Sequence, residues 1–123
     1  MKVDILAFGA HPDDVEMGCG GTIAKSTSMG KTVGIIDLTR GELGTNGSVE
    51  LRDKEAAEAS SILGSKFRLN LDFEDGFIFN NNSVYDRFTL KSIISAVDIV
   101  MYFETSIILF TLLPSISKII SFC

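Results

Sequence analysis

The sequence is poor in the residues that disulfide scaffolds, metal clusters and membrane spans require. Its 123 residues include one histidine, two cysteines and no tryptophan. The cysteines, Cys19 and Cys123, form neither a C-x-x-C pair nor a disulfide framework, and no signal-peptide pattern follows Met1. The apolar run at 107–113 is far shorter than the ~20 residues of a bilayer span. We therefore predict a cytoplasmic protein that does not bind a membrane.

Positive charge is also scarce. Eleven lysine and arginine residues face 16 aspartate and glutamate residues, for a formal charge of -5. Nucleic acids and anionic bilayers select clustered basic residues, so the composition disfavours both as partners. A hydrophobic content of 46% suits a globular protein, and the length suits one domain over residues 1–123. A small-molecule substrate is the better expectation, and assembly into a homo-oligomer stays open.

Strand and helix patterns alternate along the chain. Because β-α-β-α-β order favours a parallel sheet with right-handed crossovers, we predict an α/β, Rossmann-like parallel sheet with flanking helices. Ser48 is placed to cap a helix that Gly64 ends, and Gly30 is placed to end the helix before it. The predicted strands are 3–8, 32–38, 67–71 and 98–103, and the predicted helices are 14–29, 49–63 and 87–95.

The end of the first strand carries a group of metal-binding side chains. His11, Asp13 and Asp14 follow that strand directly, and ligands of open parallel sheets bind beyond the carboxyl ends of the strands. One imidazole and two carboxylates suit a divalent metal such as zinc. The alternative is structural: either aspartate caps the following helix, and His11 is an ordinary loop histidine.

The string at 10–16, A-H-P-D-D-V-E, resembles the A-H-P-D-D-x-E motif of the LmbE-like (PIG-L) zinc-dependent N-deacetylases, and most resembles their bacillithiol-biosynthesis branch. The resemblance implies that His11 and Asp14 are zinc ligands and that Asp13 is the general base. It gives Glu16 a supporting role. A carboxylate beside zinc-bound water suits amide hydrolysis, because zinc lowers the pKa of that water toward neutrality.

Two later segments extend the resemblance. Residues 38–44 with 50–52 are similar to a family loop and helix start, which implies that Arg52 points toward the substrate, where its planar fork suits an anionic group. The alternative for Arg52 is an ion pair with Glu42 or Glu55.

Residues 74–77 resemble the segment in which the family places a sugar-contacting aspartate. Asp75 is thereby a candidate for hydrogen bonds to glucosamine hydroxyls, and the alternative is an ordinary turn aspartate before glycine. Cys19 stays outside the predicted site as a buried small residue.

The resemblance ends after Phe103. The family there carries an H-x-D-H-type segment with a third zinc ligand, whereas this chain has no second histidine. Glu104 is a candidate oxygen ligand in its place. We predict a shortened product: the N-terminal portion of an LmbE-like fold with an incomplete C-terminal part, and a tail at 105–123 that leaves the sheet edge unpaired.

The implied function is zinc-dependent hydrolysis of the N-acetyl group of an N-acetylglucosaminyl conjugate, with N-acetylglucosaminyl-malate favoured and activity low or absent in this chain. One alternative is a non-catalytic metal-binding fragment. Another is a magnesium-binding receiver-like domain that uses Asp72 and Lys118. Rossmann-type nucleotide binding is disfavoured, because the glycines at 18–21 lie inside the predicted helix and do not form G-x-G-x-x-G.

Overall fold

A computed structural model describes residues 3–77, 97–103 and 119–122, with side chains described over 3–77. The predicted helix at 87–95, the apolar run at 107–113 and Glu104 lie outside these ranges. The elements are β1 (Val3–Gly9), α1 (Asp14–Ser28), β2 (Val33–Thr39), α2 (Val49–Leu63), β3 (Phe67–Phe73), β4 (Val97–Phe103) and β5 (Ile119–Phe122).

The five strands form one parallel sheet in the order β3-β2-β1-β4-β5. Phe8 of β1 lies opposite Ile36 on one side and Tyr102 on the other. This order confirms the predicted α/β class with a parallel sheet. The expectation that the tail leaves the edge of β4 unpaired is wrong, because Tyr102 pairs with Ser121 of β5. Residues 119–122 are Ile-Ile-Ser-Phe, a composition that favours strands.

The core lies where β1 and β2 meet α1. All seven residues of β2 are buried, as in strands of parallel sheets that are covered on both faces. Leu63 at the end of α2 packs against this core. The buried cluster consists of Ile5, Ala7, Val15, Cys19, Ile23, Val33 and Ile35.

The loop after β1 is fastened to the end of β2. Thr39 is fully buried, and both its backbone N–H and its hydroxyl donate to the carbonyl oxygen of Ala10, each at 2.9 Å. The loop leaves β1 between β2 and β4, where the strand order reverses. This is the position at which doubly wound sheets bind their ligands.

Within the described ranges, neither helix is long and apolar enough to cross a membrane.

Candidate active site

A cavity of about 370 Å³ opens at the carboxyl edge of the sheet. It brings together His11, Asp13 and Asp14 from the loop after β1, as the sequence predicted, and adds Arg52 and Asp75 from more distant segments. The remaining lining residues are Met17, Gly41, Leu43 and Gly44. The charged and polar groups on its walls make it the candidate active site.

His11 is held between two carboxylates. Its Nε2 lies 2.9 Å from Oδ1 of Asp75, and its Nδ1 lies 3.4 Å from Oδ2 of Asp14. Partial burial lowers the pKa of His11, but the hydrogen bond with Asp75 and the nearby negative charges outweigh this effect and raise the pKa above its usual value. The imidazole therefore has a fixed orientation, with Nδ1 directed to the side of Asp14.

Asp14 does not act as a helix cap. Its Oδ2 accepts a hydrogen bond from the backbone N–H of His11 at 2.9 Å, which folds the carboxylate back over the loop. One oxygen of Asp14 thus fixes the loop and lies beside the imidazole. The alternative of a purely capping aspartate does not apply to this residue.

Asp75 is buried, with 7% of its surface exposed. Its Oδ1 contacts His11, its Oδ2 accepts from the N–H of Leu43 at 3.2 Å, and its own N–H donates to Oε1 of Glu42 at 2.7 Å. Burial raises the pKa of Asp75, but the bonds from His11 and Leu43 prevail and lower it. The sequence predicted sugar contacts for Asp75; the structure places both of its oxygens on groups of the protein.

Asp13 occupies the N-cap position of α1 without a side-chain capping bond. Its carboxylate is exposed to the cavity, and its Oδ2 lies 3.7 Å from Nη1 of Arg52. Arg52 therefore faces the loop after β1 and forms its ion pair with Asp13, not with Glu42 or Glu55 as the alternative required.

Two glycines make room for the guanidinium of Arg52. A Cβ atom on Gly44 would lie 2.6 Å from Nη2 of Arg52, and one on Gly41 would lie 3.2 Å from Nη1. Contacts under 3.0 Å do not occur between such atoms, so a side chain at Gly44 would displace the guanidinium. Gly41 and Gly44 therefore leave space for the guanidinium of Arg52 at its observed position.

A second group of charges joins β2, β3 and α1 outside the lining of this cavity. Arg68 of β3 donates from Nε and Nη2 to the two oxygens of Asp37, at 2.6 and 2.8 Å, and also contacts the carboxylate of Glu16. Burial raises the pKa of Asp37 to about 6, against the lowering effect of Arg68. A supporting role for Glu16 was implied by the family resemblance alone, and neither Asp37 nor Arg68 was predicted.

The donor atoms fit one edge of a zinc site. Two ligands at ~2.0–2.1 Å from a tetrahedral zinc are separated by about 3.4 Å, which matches the distance between Nδ1 of His11 and Oδ2 of Asp14. Asp75 behind the imidazole is the second partner that metal-bound histidines usually have. In the described part of the chain, no three His, Cys, Asp or Glu side chains form a metal-binding group.

The other predicted residues lie outside this cavity. Cys19 is buried in the core, as predicted, and burial raises the pKa of its thiol to about 11. Asp72, which the receiver-like alternative requires, lines a neighbouring cavity of about 320 Å³ and not the cavity of Asp13 and Asp14. The glycines at 18–21 lie inside α1, which does not support nucleotide binding.

Comparisons with known proteins identify the family of the chain. The chain is 41% identical to the uncharacterized deacetylase YaiS of Escherichia coli K12 over 71 residues, which are 58% of this chain and 38% of that protein. A conserved protein of Thermus thermophilus superposes with a TM-score of 0.73 at 43% identity, over 80% of this chain and 45% of that one.

The N,N'-diacetylchitobiose deacetylase of Pyrococcus horikoshii superposes with a TM-score of 0.71 at 30% identity, over 80% of this chain and 39% of that one. The chain thus spans less than half the length of these relatives. Residues 6–108 match the family described as PIG-L, GlcNAc-PI de-N-acetylase. The chain belongs to the PIG-L family of deacetylases.

Proposed function

We propose that the chain carries part of the active site of a zinc-dependent hydrolase, which removes the N-acetyl group from an N-acetylglucosaminyl conjugate. The observation that supports this most is the position of His11, held by Asp75 on one ring nitrogen and facing Asp14 with the other, beside the exposed carboxylate of Asp13. The same set of residues lies at the ligand-binding edge of the sheet.

His11 and Asp14 would hold the metal through Nδ1 and Oδ2. Asp75 would accept the proton on Nε2, which leaves the lone pair of Nδ1 free for a ligand bond and fixes the ring. We thus propose a positioning role for Asp75 in addition to the sugar contact that the resemblance implies. When bound, zinc supplies a Lewis acid that lowers the pKa of water and polarises the acetyl carbonyl.

Asp13 would act as general base and then as general acid. Its carboxylate is exposed to the cavity, where it can take a proton from the attacking water and deliver it to the amine of the departing sugar. The products are acetate and the free glucosamine amine.

Arg52 would bind an anionic part of the substrate. Its guanidinium lies on the cavity wall, 3.7 Å from Asp13, so an anion bound there would stand next to the general base. This placement supports a conjugate that carries carboxylates, and we propose N-acetylglucosaminyl-malate of bacillithiol synthesis, a substrate of the cytoplasm. The branch and the substrate rest on the resemblance of the motifs.

We propose low activity for the 123-residue chain, because its described residues bring only His11 and Asp14 together as metal ligands, and catalytic zinc usually has three. The same observation favours the second candidate function, a non-catalytic metal-binding fragment.

Calorimetric titration with zinc tests the proposal. We expect weak binding by the chain and a loss of at least about tenfold in affinity in His11→Ala, because one of two ligands is removed. Lys25→Ala, on the exposed face of α1, is the matched control and should bind zinc as the chain does. Equal affinity in His11→Ala and the control would refute His11 as a ligand.

Release of free amine from N-acetylglucosaminyl-malate, measured on the same zinc-loaded samples, separates the two candidate functions. Amine release that disappears in Asp13→Asn would support the hydrolase. Zinc binding without amine release would support the fragment.

A further inference from the structure

The first turn of α1 carries the acidic side chains of Asp14 and Glu16, which favour a helix start, but it has no side-chain cap. Its N-cap residue, Asp13, makes no side-chain capping bond, and Cys19 departs from helical geometry with φ -141° and ψ 15°. Residues 14–18 are therefore a short segment between a loop and a kink. This segment carries Asp14, whose position beside His11 the candidate metal site requires.

Arg68 contacts this segment through Glu16. It lies on β3, and 8% of its side chain is exposed. Its Nε and Nη2 bind both oxygens of Asp37 on β2, its Nη1 and Nη2 contact the two oxygens of Glu16 on α1, and Nη1 also donates to the carbonyl of Ala56 on α2 at 3.3 Å. One guanidinium thus connects two strands and two helices.

The bonds of Arg68 limit the positions that its guanidinium and Glu16 can take. A guanidinium fixed by a two-bond fork to Asp37 cannot rotate without breaking both bonds, and its remaining donors are directed at Glu16 and at the carbonyl oxygen of Ala56. Glu16 and Asp14 belong to the same turn of α1, so a fixed Glu16 also limits where Asp14 can lie.

We propose that Arg68 is a positioning residue for the metal site: by holding Glu16 against the sheet, it fixes the first turn of α1 and keeps Asp14 next to His11. The part of this inference that concerns metal rests on the proposed function. It also gives the glutamate of the A-H-P-D-D-V-E motif a physical role at a distance from the cavity.

The test compares Glu16→Gln with Asp53→Asn. Glu16→Gln keeps the shape of the side chain but removes the charge that Arg68 contacts. Asp53→Asn is the matched control, because Asp53 forms an exposed ion pair with Arg40 near the start of α2. Amide hydrogen exchange should become about tenfold faster at residues 17–18, the first whose N–H groups bond back along the helix, in Glu16→Gln and stay unchanged at 24–28. The control should leave both segments of α1 unchanged.

Zinc affinity is the second measurement, made by calorimetry at a temperature where all variants are folded. Residues that orient metal ligands contribute about 10- to 100-fold to affinity, so Glu16→Gln should bind zinc at least about tenfold more weakly than the control. A purely structural role of Arg68 would lower the melting temperature and leave this affinity unchanged.

The outcomes are distinct. Unchanged exchange at 17–18 in Glu16→Gln would overturn the proposal, and so would faster exchange with unchanged zinc affinity. If the unsubstituted chain binds no zinc, the proposed function fails, and the exchange comparison alone then supports or overturns the role of Arg68 in holding the turn.

Discussion

The two helices of the described chain begin in different ways. In α2, the hydroxyl of Ser48 accepts from the N–H of Leu51 at 3.2 Å, and Gly64 ends the helix in the left-handed conformation with φ 67°. In α1, Asp13 stands at the N-cap position without a capping bond, and the helix is kinked at Cys19. The first helix is supported from outside by Arg68, whereas the second carries its own caps.

This difference coincides with residues of the proposed site that lie at the start of α1. Aspartate is among the best N-cap residues, yet Asp13 is exposed to the cavity and Asp14 accepts from the N–H of His11. Local rules tend to fail at functional sites, because side chains there serve the site and not the nearest backbone groups. The start of α1 carries Asp13 and Asp14 of the proposed site, whereas the caps of α2, Ser48 and Gly64, lie outside the lining of the cavity.

The sequence could predict those parts of the fold that are determined by neighbouring residues. α2 was predicted at 49–63 and observed at Val49–Leu63, because its caps are signals of neighbouring residues. β3 was predicted to end at 71 but continues to Phe73, with Asp72 at φ 56° and a shift of register against β2. Such an irregularity depends on the partner strand, which no local pattern reveals.

The candidate site also combines contacts that the sequence could predict with contacts that it could not. His11, Asp13 and Asp14 lie within four consecutive residues after β1, so a single motif was enough to predict that they meet. The contact between His11 and Asp75 joins residues 64 positions apart, and that between Glu16 and Arg68 joins residues 52 apart. These contacts depend on the order of the strands in the sheet, and the spacing of residues along the sequence could not predict them.

The largest effect should come from Arg68→Met, which removes the outside support of α1. It leaves the buried carboxylate of Asp37 without its partner, and breaking a buried ion pair in this way costs about 3–5 kcal/mol in the free energy of unfolding. Urea denaturation measures the loss. Arg40→Met is the matched control near α2, where Arg40 forms an exposed pair with Asp53 and should matter little.

The double variant Arg68→Met with Asp37→Asn removes the unpaired charge and should recover part of the lost stability. If Arg68→Met and Arg40→Met destabilise the chain equally, the two helix starts do not differ as we describe. If Arg68→Met alone does not fold, the free energy of unfolding of the double variant is compared with that of Arg40→Met instead.

A smaller effect is expected on the pH dependence of the free energy of unfolding, through Asp37. Burial raises the pKa of Asp37 from 3.8 to about 6, although Arg68 acts against this. The unfolded chain then loses this proton at lower pH than the folded chain does, so the contribution of Asp37 to stability is complete below pH ~4 and is lost as pH rises through about 6. Urea denaturation from pH 4 to 7 should show a smaller decline in Asp37→Asn than in the unsubstituted chain. Identical slopes would contradict the raised pKa.

The smallest effect tests the comparison most directly, by removing the side chain at the N-cap of each helix. Ser48→Ala should lower the free energy of unfolding by about 1 kcal/mol, because the N–H of Leu51 loses its acceptor. Asp13→Ala should change it by less than about 0.5 kcal/mol, because Asp13 makes no capping bond and its ion pair with Arg52 is partly exposed. Urea denaturation with equal m-values for both variants gives the comparison. A loss in Asp13→Ala as large as that in Ser48→Ala would show that Asp13 caps α1 in solution, and the start of α1 would then be an ordinary helix start.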